Sequence, residues 1–217
     1  MKTLKNDWLI WIILIAPFVF IAIFWNQFPD KIPTHFNFSG EPDDYSDKLQ
    51  GVLLMPGINI LLYFLFLVLP VIDPSRKNYG LFQDKYKIIR IVLHLFFAFA
   101  FFLNAFYALG YNFNISFLII YSTLVLFLIL GNYLGNIRHN YFIGIRTPWT
   151  LANEKVWTKT HRFAAKIWVV ATLITMVALP FFSSQISEFL FLAYLAVIAI
   201  IPIVYSYVVF KKIKNED

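Results

Sequence analysis

Very few side chains in this sequence are placed to do chemistry. It contains no cysteine, which excludes disulfides, thiolate metal sites and a cysteine nucleophile. It also lacks the His-Glu-x-x-His, Gly-x-Ser-x-Gly and glycine-rich phosphate-binding patterns of common enzymes. No acidic residue lies deep in its long apolar runs, so the paired intramembrane aspartates of some proteases are missing. The sequence therefore predicts a protein that is not an enzyme and has no metal or cofactor.

His94 is the one ionisable side chain deep inside an apolar run, on the same helix face as Arg90. One interpretation is a proton relay, or a permeation path lined also by Asn59, Asn104 and Asn132, as in a small permease. The other is a neutral imidazole and amides that hydrogen-bond neighbouring helices. An intramembrane enzyme acting on lipid or peptide is a third, weaker alternative.

Residues 26–51 form a long loop with five acidic side chains and two lysines. Its prolines favour extended backbone, with Thr34 and Phe36 facing one way and His35 the other. Residues 39–42, Ser-Gly-Glu-Pro, predict a turn. Three interpretations remain open: a receptor surface for a cationic peptide, a cation site, or an acidic loop with phenylalanines dipping into the membrane interface. The residues proposed to bind a ligand are Pro33, His35, Phe36, Asn37, Gly40 and Asp43.

A second long loop, residues 134–162, follows a glycine pair at Gly131 and Gly135. Glycines four residues apart share a helix face and favour close helix packing, although Gly135 is also typical of a helix end. Asn132 and Asn136 lie on the adjoining stripe, where they can hydrogen-bond across helices.

Farther along this loop, Thr147-Pro148 predicts a helix start, with proline at the first helical position. Trp149 and Trp157, among basic residues, predict an amphipathic segment whose aromatic rings face lipid and whose charges face headgroups.

The elements that must position these residues are membrane helices. The chain of 217 residues is 60% hydrophobic and 14% charged, whereas a soluble domain is about 45–50% apolar and about 25% charged. Each apolar run has about the 20 residues needed to cross a bilayer. The sequence thus predicts an all-α integral membrane protein with a single six-helix transmembrane domain spanning residues 1–217. The six runs are 8–25, 52–72, 88–110, 114–133, 163–183 and 188–210.

The basic residues set the predicted orientation. Of the 18 lysines and arginines, only Lys31 and Lys48 fall in the loops on one side. The positive-inside rule then places both termini and residues 134–162 in the cytoplasm, and residues 26–51 outside. The net charge of +6 is explained by this topology, so no direct contact with nucleic acid is expected. The first run lacks a small-residue cleavage site and is predicted to be an uncleaved helix.

Three boxes of this sequence resemble the signature of the SdpI family of bacterial membrane proteins. They contain the glycine–asparagine pairs at 131–136, the run from Asn140 to Leu151, and the segment from Trp157 to Arg162. The first loop is similar to the extracytoplasmic Pro-His-Phe-Asn box that accompanies them. The pattern leads us to expect proline, or another residue in place of histidine, between the basic position and Asn140. His139 is therefore a departure from it. The motif residues carried over as structural or partner-binding candidates are Gly131, Asn132, Gly135, Asn136, Asn140, Gly144, Arg146, Thr147, Pro148, Trp149, Trp157, His161 and Arg162.

The resemblance implies a multi-pass protein of the bacterial plasma membrane that protects the cell from a secreted antimicrobial peptide toxin. It also implies that toxin binding in some members recruits a cytoplasmic transcriptional repressor to the membrane. The expected partners are therefore a secreted peptide toxin, a repressor and membrane lipids.

Overall fold

A computed structural model describes residues 7–215 of the chain, and its dominant elements are long helices. Lys2 and Lys5, which enter the charge count above, lie outside these residues. The helices are α1 (Trp8–Phe24), α2 (Lys48–Ile72), α3 (Gln83–Ala108), α4 (Ile115–Leu134), α5 (Pro148–Ala152), α6 (Glu154–Ala178) and α7 (Ser184–Lys214), and the strands are β1 (Lys31–Phe36) and β2 (Pro42–Asp47).

Six of these helices, all except the short α5, are long and apolar enough to cross a membrane. The prediction of six apolar helices of membrane-spanning length is confirmed, but several helices begin earlier than their apolar runs. The structure starts α2 at Lys48, α3 at Gln83 and α6 at Glu154. A helix can extend beyond the bilayer, because its polar first turn is stable in water or among lipid headgroups. Hydropathy therefore marks the lipid-immersed part of a helix and not its ends.

The expectation of an all-α chain is wrong for the first loop, which contains an antiparallel hairpin of β1 and β2. The predicted extended backbone and turn are both present, and Gly40 closes the turn with a φ of +87°. The predicted alternation holds around His35, which is exposed between the partly buried Thr34 and Phe36. β-bulges flank His35, and the preceding residues Ile32 and Pro33 are both buried.

The described residues divide into two compact units, and helices α2, α3 and α4 each contribute to both. One unit consists of the chain up to Phe66 with Arg90–Thr123, and the other of Leu67–Ile89 with the chain from Leu124 onwards. The single domain expected from the sequence stays a prediction.

The first unit packs the hairpin onto its helices through an apolar core. Ile32 of β1 joins Ile21, Val52 and Phe101, which come from α1, α2 and α3. A Cβ on Gly51 would lie 2.5 Å from the Ile32 Cβ, so only glycine allows the strand to approach α2 this closely. The hairpin is therefore fixed at its base.

The second unit is organised by α6. A Cβ on Gly131 of α4 would lie 2.8 Å from the Cβ of Trp168, which makes this the close helix contact predicted from the glycine. Trp168 also donates its indole N–H to the Ile198 carbonyl of α7 at 2.9 Å. The Thr172 and Tyr194 hydroxyls meet at 2.9 Å on the same pair of helices.

Candidate functional site

The hairpin displays exposed polar and charged side chains that are paired within the loop. His35 Nδ1 lies 2.5 Å from Asp43 Oδ1, and their side chains are 69% and 46% exposed. At the hairpin base, Lys31 Nζ contacts Asp47 Oδ1 at 2.7 Å. This hydrogen bond, followed by the charge attraction, raises the pKa of Lys31 and lowers that of Asp47. Both pairs are solvated, so they shape the surface and add little stability.

The remaining proposed ligand-binding residues of the loop anchor its backbone. The Pro33 carbonyl accepts a hydrogen bond from the Asn104 side chain at 3.0 Å. Phe36 packs edge-on against Tyr107, with ring centres 5.0 Å apart. The Asn37 carbonyl accepts a hydrogen bond from the Ser116 hydroxyl at 2.6 Å.

The turn of the hairpin is fixed in the same way. Asn37 Oδ1 accepts a hydrogen bond from the Glu41 N–H at 3.0 Å. A Cβ on Gly40 would lie 2.9 Å from Asn114 Oδ1, so the turn rests against the segment before α4. Of the six candidates, only His35 and Asp43 have titratable side chains, and both are largely exposed to solvent. The loop therefore offers an anchored backbone with an exposed polar face.

The interpretation of this loop as a cation site is not supported by the positions of its side chains. Within residues 7–215, no group of three or more histidine, cysteine, aspartate or glutamate side chains is placed to hold a metal ion.

The second candidate region is the connector, defined as residues 135–147 between α4 and α5. At its centre Asn140 is fully buried, and its Oδ1 accepts hydrogen bonds from the Phe142 and Ile143 N–H groups at 2.9 and 2.6 Å. Its Nδ2 donates to the Arg138 and Ile143 carbonyls at 2.9 and 3.0 Å. Every hydrogen-bonding position of this amide is used, so Asn140 holds the connector in shape.

Gly144 and His161 form the contact between the connector and α6. Gly144 has a φ of +113°, and a Cβ there would collide with the His161 imidazole. His161 Nδ1–H donates to the Trp157 carbonyl at 2.9 Å, while Nε2 accepts from the Ile145 N–H at 2.9 Å. These two bonds require a neutral ring protonated at Nδ1. His161 thus acts as a tie between backbone segments.

The prediction that Trp157 faces lipid is wrong. Its side chain is 1% exposed and donates its indole N–H to the Ile137 carbonyl at 2.9 Å. It also stacks on His161, with ring centres 4.0 Å apart. Trp149 is half-buried against Tyr207 of α7. Trp157 therefore belongs to the buried core of the unit, whereas an interfacial location of Trp149 stays a prediction.

The predicted helix start at Thr147 is confirmed. Pro148 is the first residue of α5, and the Thr147 side chain accepts a hydrogen bond from the Thr150 N–H. The Thr150 hydroxyl accepts one from the Thr147 N–H in return, at 2.9 Å. Ser206 of α7 lies 3.1 Å from the Thr147 hydroxyl, which ties this start to the next helix.

Asp73, which follows α2, was not identified from the sequence. It is buried, and its Oδ2 accepts hydrogen bonds from the Tyr141 N–H at 2.9 Å and the Tyr79 hydroxyl at 3.0 Å. Its Oδ1 accepts one from the Ser75 N–H at 2.7 Å. Burial, followed by the bond to Asp73, raises the pKa of Tyr79. Asp73-Pro74-Ser75 is a turn signal after a helix, but its bond to a residue 68 positions away cannot be read locally.

Other motif residues of this region lie on its surface. Arg146 is exposed and donates one hydrogen bond, from Nη1 to the Tyr141 carbonyl at 3.1 Å. Asn132, Asn136 and Arg162 are exposed as well. Gly135 lies just beyond α4, where a Cβ would make ordinary contact with α6.

His139, the departure from the family pattern, is integrated into the connector. Its Nε2–H donates to the Leu151 carbonyl at 3.0 Å, and its own carbonyl accepts from Asn78 at 2.8 Å.

Polar side chains within the first unit pair with one another. His94 Nδ1 lies 2.6 Å from Asn59 Oδ1, and Asn59 Nδ2 donates to the His94 carbonyl at 3.1 Å. This is the interhelical hydrogen bonding that the sequence offered as one interpretation. A buried ion pair joins Asp7 to Arg90 at 2.6 Å, with the Tyr63 hydroxyl 3.5 Å from Asp7. The pair spans 83 positions, so sequence reasoning missed it.

Comparison with known proteins supplies the functional context for this geometry. Residues 136–206, which contain most of the connector, match the model of the SdpI/YfhL protein family. Residues 12–60, which contain the hairpin, match a domain of unknown function, DUF1648. No solved structure matches the chain. The chain is 27% identical over 204 residues to the immunity protein SdpI of Bacillus subtilis strain 168, an alignment that covers 94% of this chain and 95% of that protein. It thus combines six helices able to span a membrane with similarity to an immunity protein over nearly its whole length.

Proposed function

We propose that this protein belongs to the SdpI family and is a membrane immunity protein that protects its cell from a secreted antimicrobial peptide. The similarity to an immunity protein over 94% of the chain is the observation that carries the proposal. The role requires binding and no catalytic step.

The proposed orientation follows from the basic residues. Both termini and the connector lie in the cytoplasm, and the hairpin lies outside the bacterial plasma membrane. A reporter fused after Asp217 is expected to be active only in the cytoplasm, and one inserted beside Asp44 only outside. The reverse result at either site would overturn the orientation.

The hairpin is the proposed toxin-contacting surface. His35, Asp43 and Asp44 give it a polar face, and Tyr45 adds an aromatic ring that is 50% exposed. An acidic surface attracts a cationic peptide, and an exposed tyrosine supplies contact area at small entropic cost. Because helix residues anchor the strand backbone, little conformational freedom has to be lost on binding.

The connector is the proposed cytoplasmic face. Its buried hydrogen bonds stabilise the second unit, and its exposed residues, such as Arg146, are available to a transcriptional repressor and to lipid headgroups. Recruitment of a repressor by the toxin-bound form is the proposed second output.

Expression in a sensitive bacterium, followed by challenge with a panel of secreted peptide toxins, tests the function. Cells that express the protein are expected to survive at least one toxin that kills cells with an empty vector. A cytoplasmic fluorescent fusion should verify that the protein reaches the membrane at equal abundance in all cultures. Killing of these cells by every toxin would contradict the immunity role.

A further inference from the structure

A cavity of about 270 Å³ opens within the second unit, between the start of α3, the beginning of the connector and the first turns of α6. Three cationic side chains from these separate segments line it: Lys85, Arg138 and Arg162. Its volume is close to the lower end of small-ligand pockets, which begin at about 300 Å³. The cavity can therefore hold a small charged group.

Among residues 7–215, none of the three cations takes part in an ion pair. The cavity contains a single carboxylate, Asp84, so its lining carries a net charge of +2. Asn136 and Thr158 add neutral hydrogen-bonding groups. Three cations that converge on one cavity repel one another, and a bound anion would relieve that repulsion.

The backbone at the cavity adds to this positive potential. Gln83, Asp84 and Lys85 form the first turn of α3, a helix of 26 residues, and all three line the cavity. N–H groups of a first helical turn have no partner within the helix, and the helix dipole is positive at this end. The cationic side chains and the start of α3 therefore both favour an anionic ligand.

We propose that this cavity binds a phosphate group. Arg138 and Arg162 supply planar guanidinium groups, which match two phosphate oxygens at once, and Lys85 supplies a point charge. Asp84 opposes the anion, so its removal strengthens binding. The phosphate comes either from an anionic lipid headgroup or from a soluble phosphate compound. This site is independent of the proposed toxin surface.

Two probes distinguish the sources. Inorganic phosphate is titrated calorimetrically into the full-length protein in detergent. For the lipid, the protein is placed in nanodiscs that contain a defined fraction of phosphatidylglycerol in phosphatidylcholine. Native mass spectrometry of the released protein then measures the phosphatidylglycerol that stays bound. Binding of phosphatidylglycerol alone identifies a lipid site, and binding of inorganic phosphate identifies a soluble ligand. The absence of saturable binding for both probes would overturn the proposal.

Matched variants separate a built site from general charge attraction. The double variant Arg138→Gln/Arg162→Gln is expected to weaken binding at least about tenfold, which corresponds to about 1.4 kcal/mol. The control Arg76→Gln/Lys159→Gln removes the same charge from exposed positions outside the cavity and is expected to change affinity less than about twofold. Equal weakening in both double variants would contradict a specific site.

Asp84→Asn provides a test of the opposite sign, since it removes the one carboxylate of the cavity and is expected to tighten binding several-fold. The ligand-free melting temperature shows whether each variant is folded. Should the double arginine variant not fold, Asp84→Asn decides: tighter binding supports the site, and unchanged or weaker binding overturns it.

Discussion

The hairpin and the connector use polar residues in opposite ways. In the hairpin, the side chains of His35 and Asp43 are largely exposed, and within residues 7–215 they pair with each other. In the connector and on the adjoining α6, Asn140 and His161 are fully buried and bonded to backbone N–H and carbonyl groups. Exposed, solvated groups can exchange water for a partner at small cost, whereas buried and saturated groups cannot leave their bonds without unfolding the segment. This difference supports the proposal that the hairpin contacts the ligand, whereas the buried polar groups maintain the fold.

The largest expected effect in the connector is that of Gly144→Ala. An alanine at this position must adopt a positive φ, which costs about 1–3 kcal/mol of stability. Its Cβ also collides with the His161 ring. Because the steric collision adds about 1–3 kcal/mol to the backbone cost, we expect a total loss of about 4 kcal/mol of stability. Little folded protein should then reach the membrane, which abundance and thermal unfolding in detergent measure.

Gly110→Ala is the matched control, because Gly110 has a similar φ of +93° but no atom within 4 Å of a Cβ. Gly110→Ala should lose only the stability that corresponds to the unfavourable positive φ. Equal losses for the two variants would show that the Gly144–His161 contact does not matter.

Asp73→Asn should have the next largest effect. The carboxylate accepts hydrogen bonds on both oxygens, so an amide must turn its NH₂ group towards at least one donor. A buried unsatisfied group of this kind costs about 2–3 kcal/mol. The melting temperature should fall clearly for Asp73→Asn and hardly at all for Asp84→Asn, which is exposed. An unchanged melting temperature for Asp73→Asn would contradict the role of this residue in the connector.

The two glycines of the motif are expected to differ. Gly131→Ala brings a Cβ to 2.8 Å from Trp168 Cβ, whereas at Gly135 the nearest atom lies at 3.5 Å. Overpacking should cost about 1–2 kcal/mol at Gly131 and close to nothing at Gly135. Thermal unfolding of both variants measures this, and an equal response would mean that α4 and α6 are not in close contact at Gly131.

The smallest effect on stability is expected in the hairpin. Lys31 has a raised pKa and Asp47 a lowered one, so their bond stabilises the fold between the two titrations. That contribution is lost as pH falls through the pKa of Asp47 or rises through that of Lys31. Because both side chains are exposed, Asp47→Asn should leave the melting temperature at neutral pH unchanged. A marked drop would show that the hairpin charges serve stability instead of recognition.

These contrasts also explain what the sequence can and cannot predict. The six helices were predictable, because about 20 apolar residues have one stable arrangement in lipid. Prolines and Gly40 indicated the extended segments and the turn of the hairpin. Strand β2 itself was missed, because Pro42–Asp47 is acidic and lacks an apolar alternation.

The family motif identified the connector and the start of α6, but the lipid-facing role predicted for Trp157 was wrong. Trp157 lies among basic residues, a pattern typical of membrane interfaces, yet its N–H is bonded to the Ile137 carbonyl inside the fold. The contacts of Asp73 with Tyr141 and of Asp7 with Arg90 join residues far apart in the chain. Local patterns predict periodicity and turns, but they carry no information on which distant polar groups meet.

The most direct measurement of the central claim is the survival of toxin-challenged cells that carry hairpin variants at equal membrane abundance. His35→Ala/Asp43→Ala removes the exposed polar pair near the turn, and Lys31→Ala/Asp47→Ala removes a pair at the hairpin base that is at least as exposed. We predict that the first double variant stays folded but loses at least about tenfold in protection, while the second protects like the parent. Full protection by the first double variant, with the parent also protective, would contradict the assignment of toxin contact to His35 and Asp43.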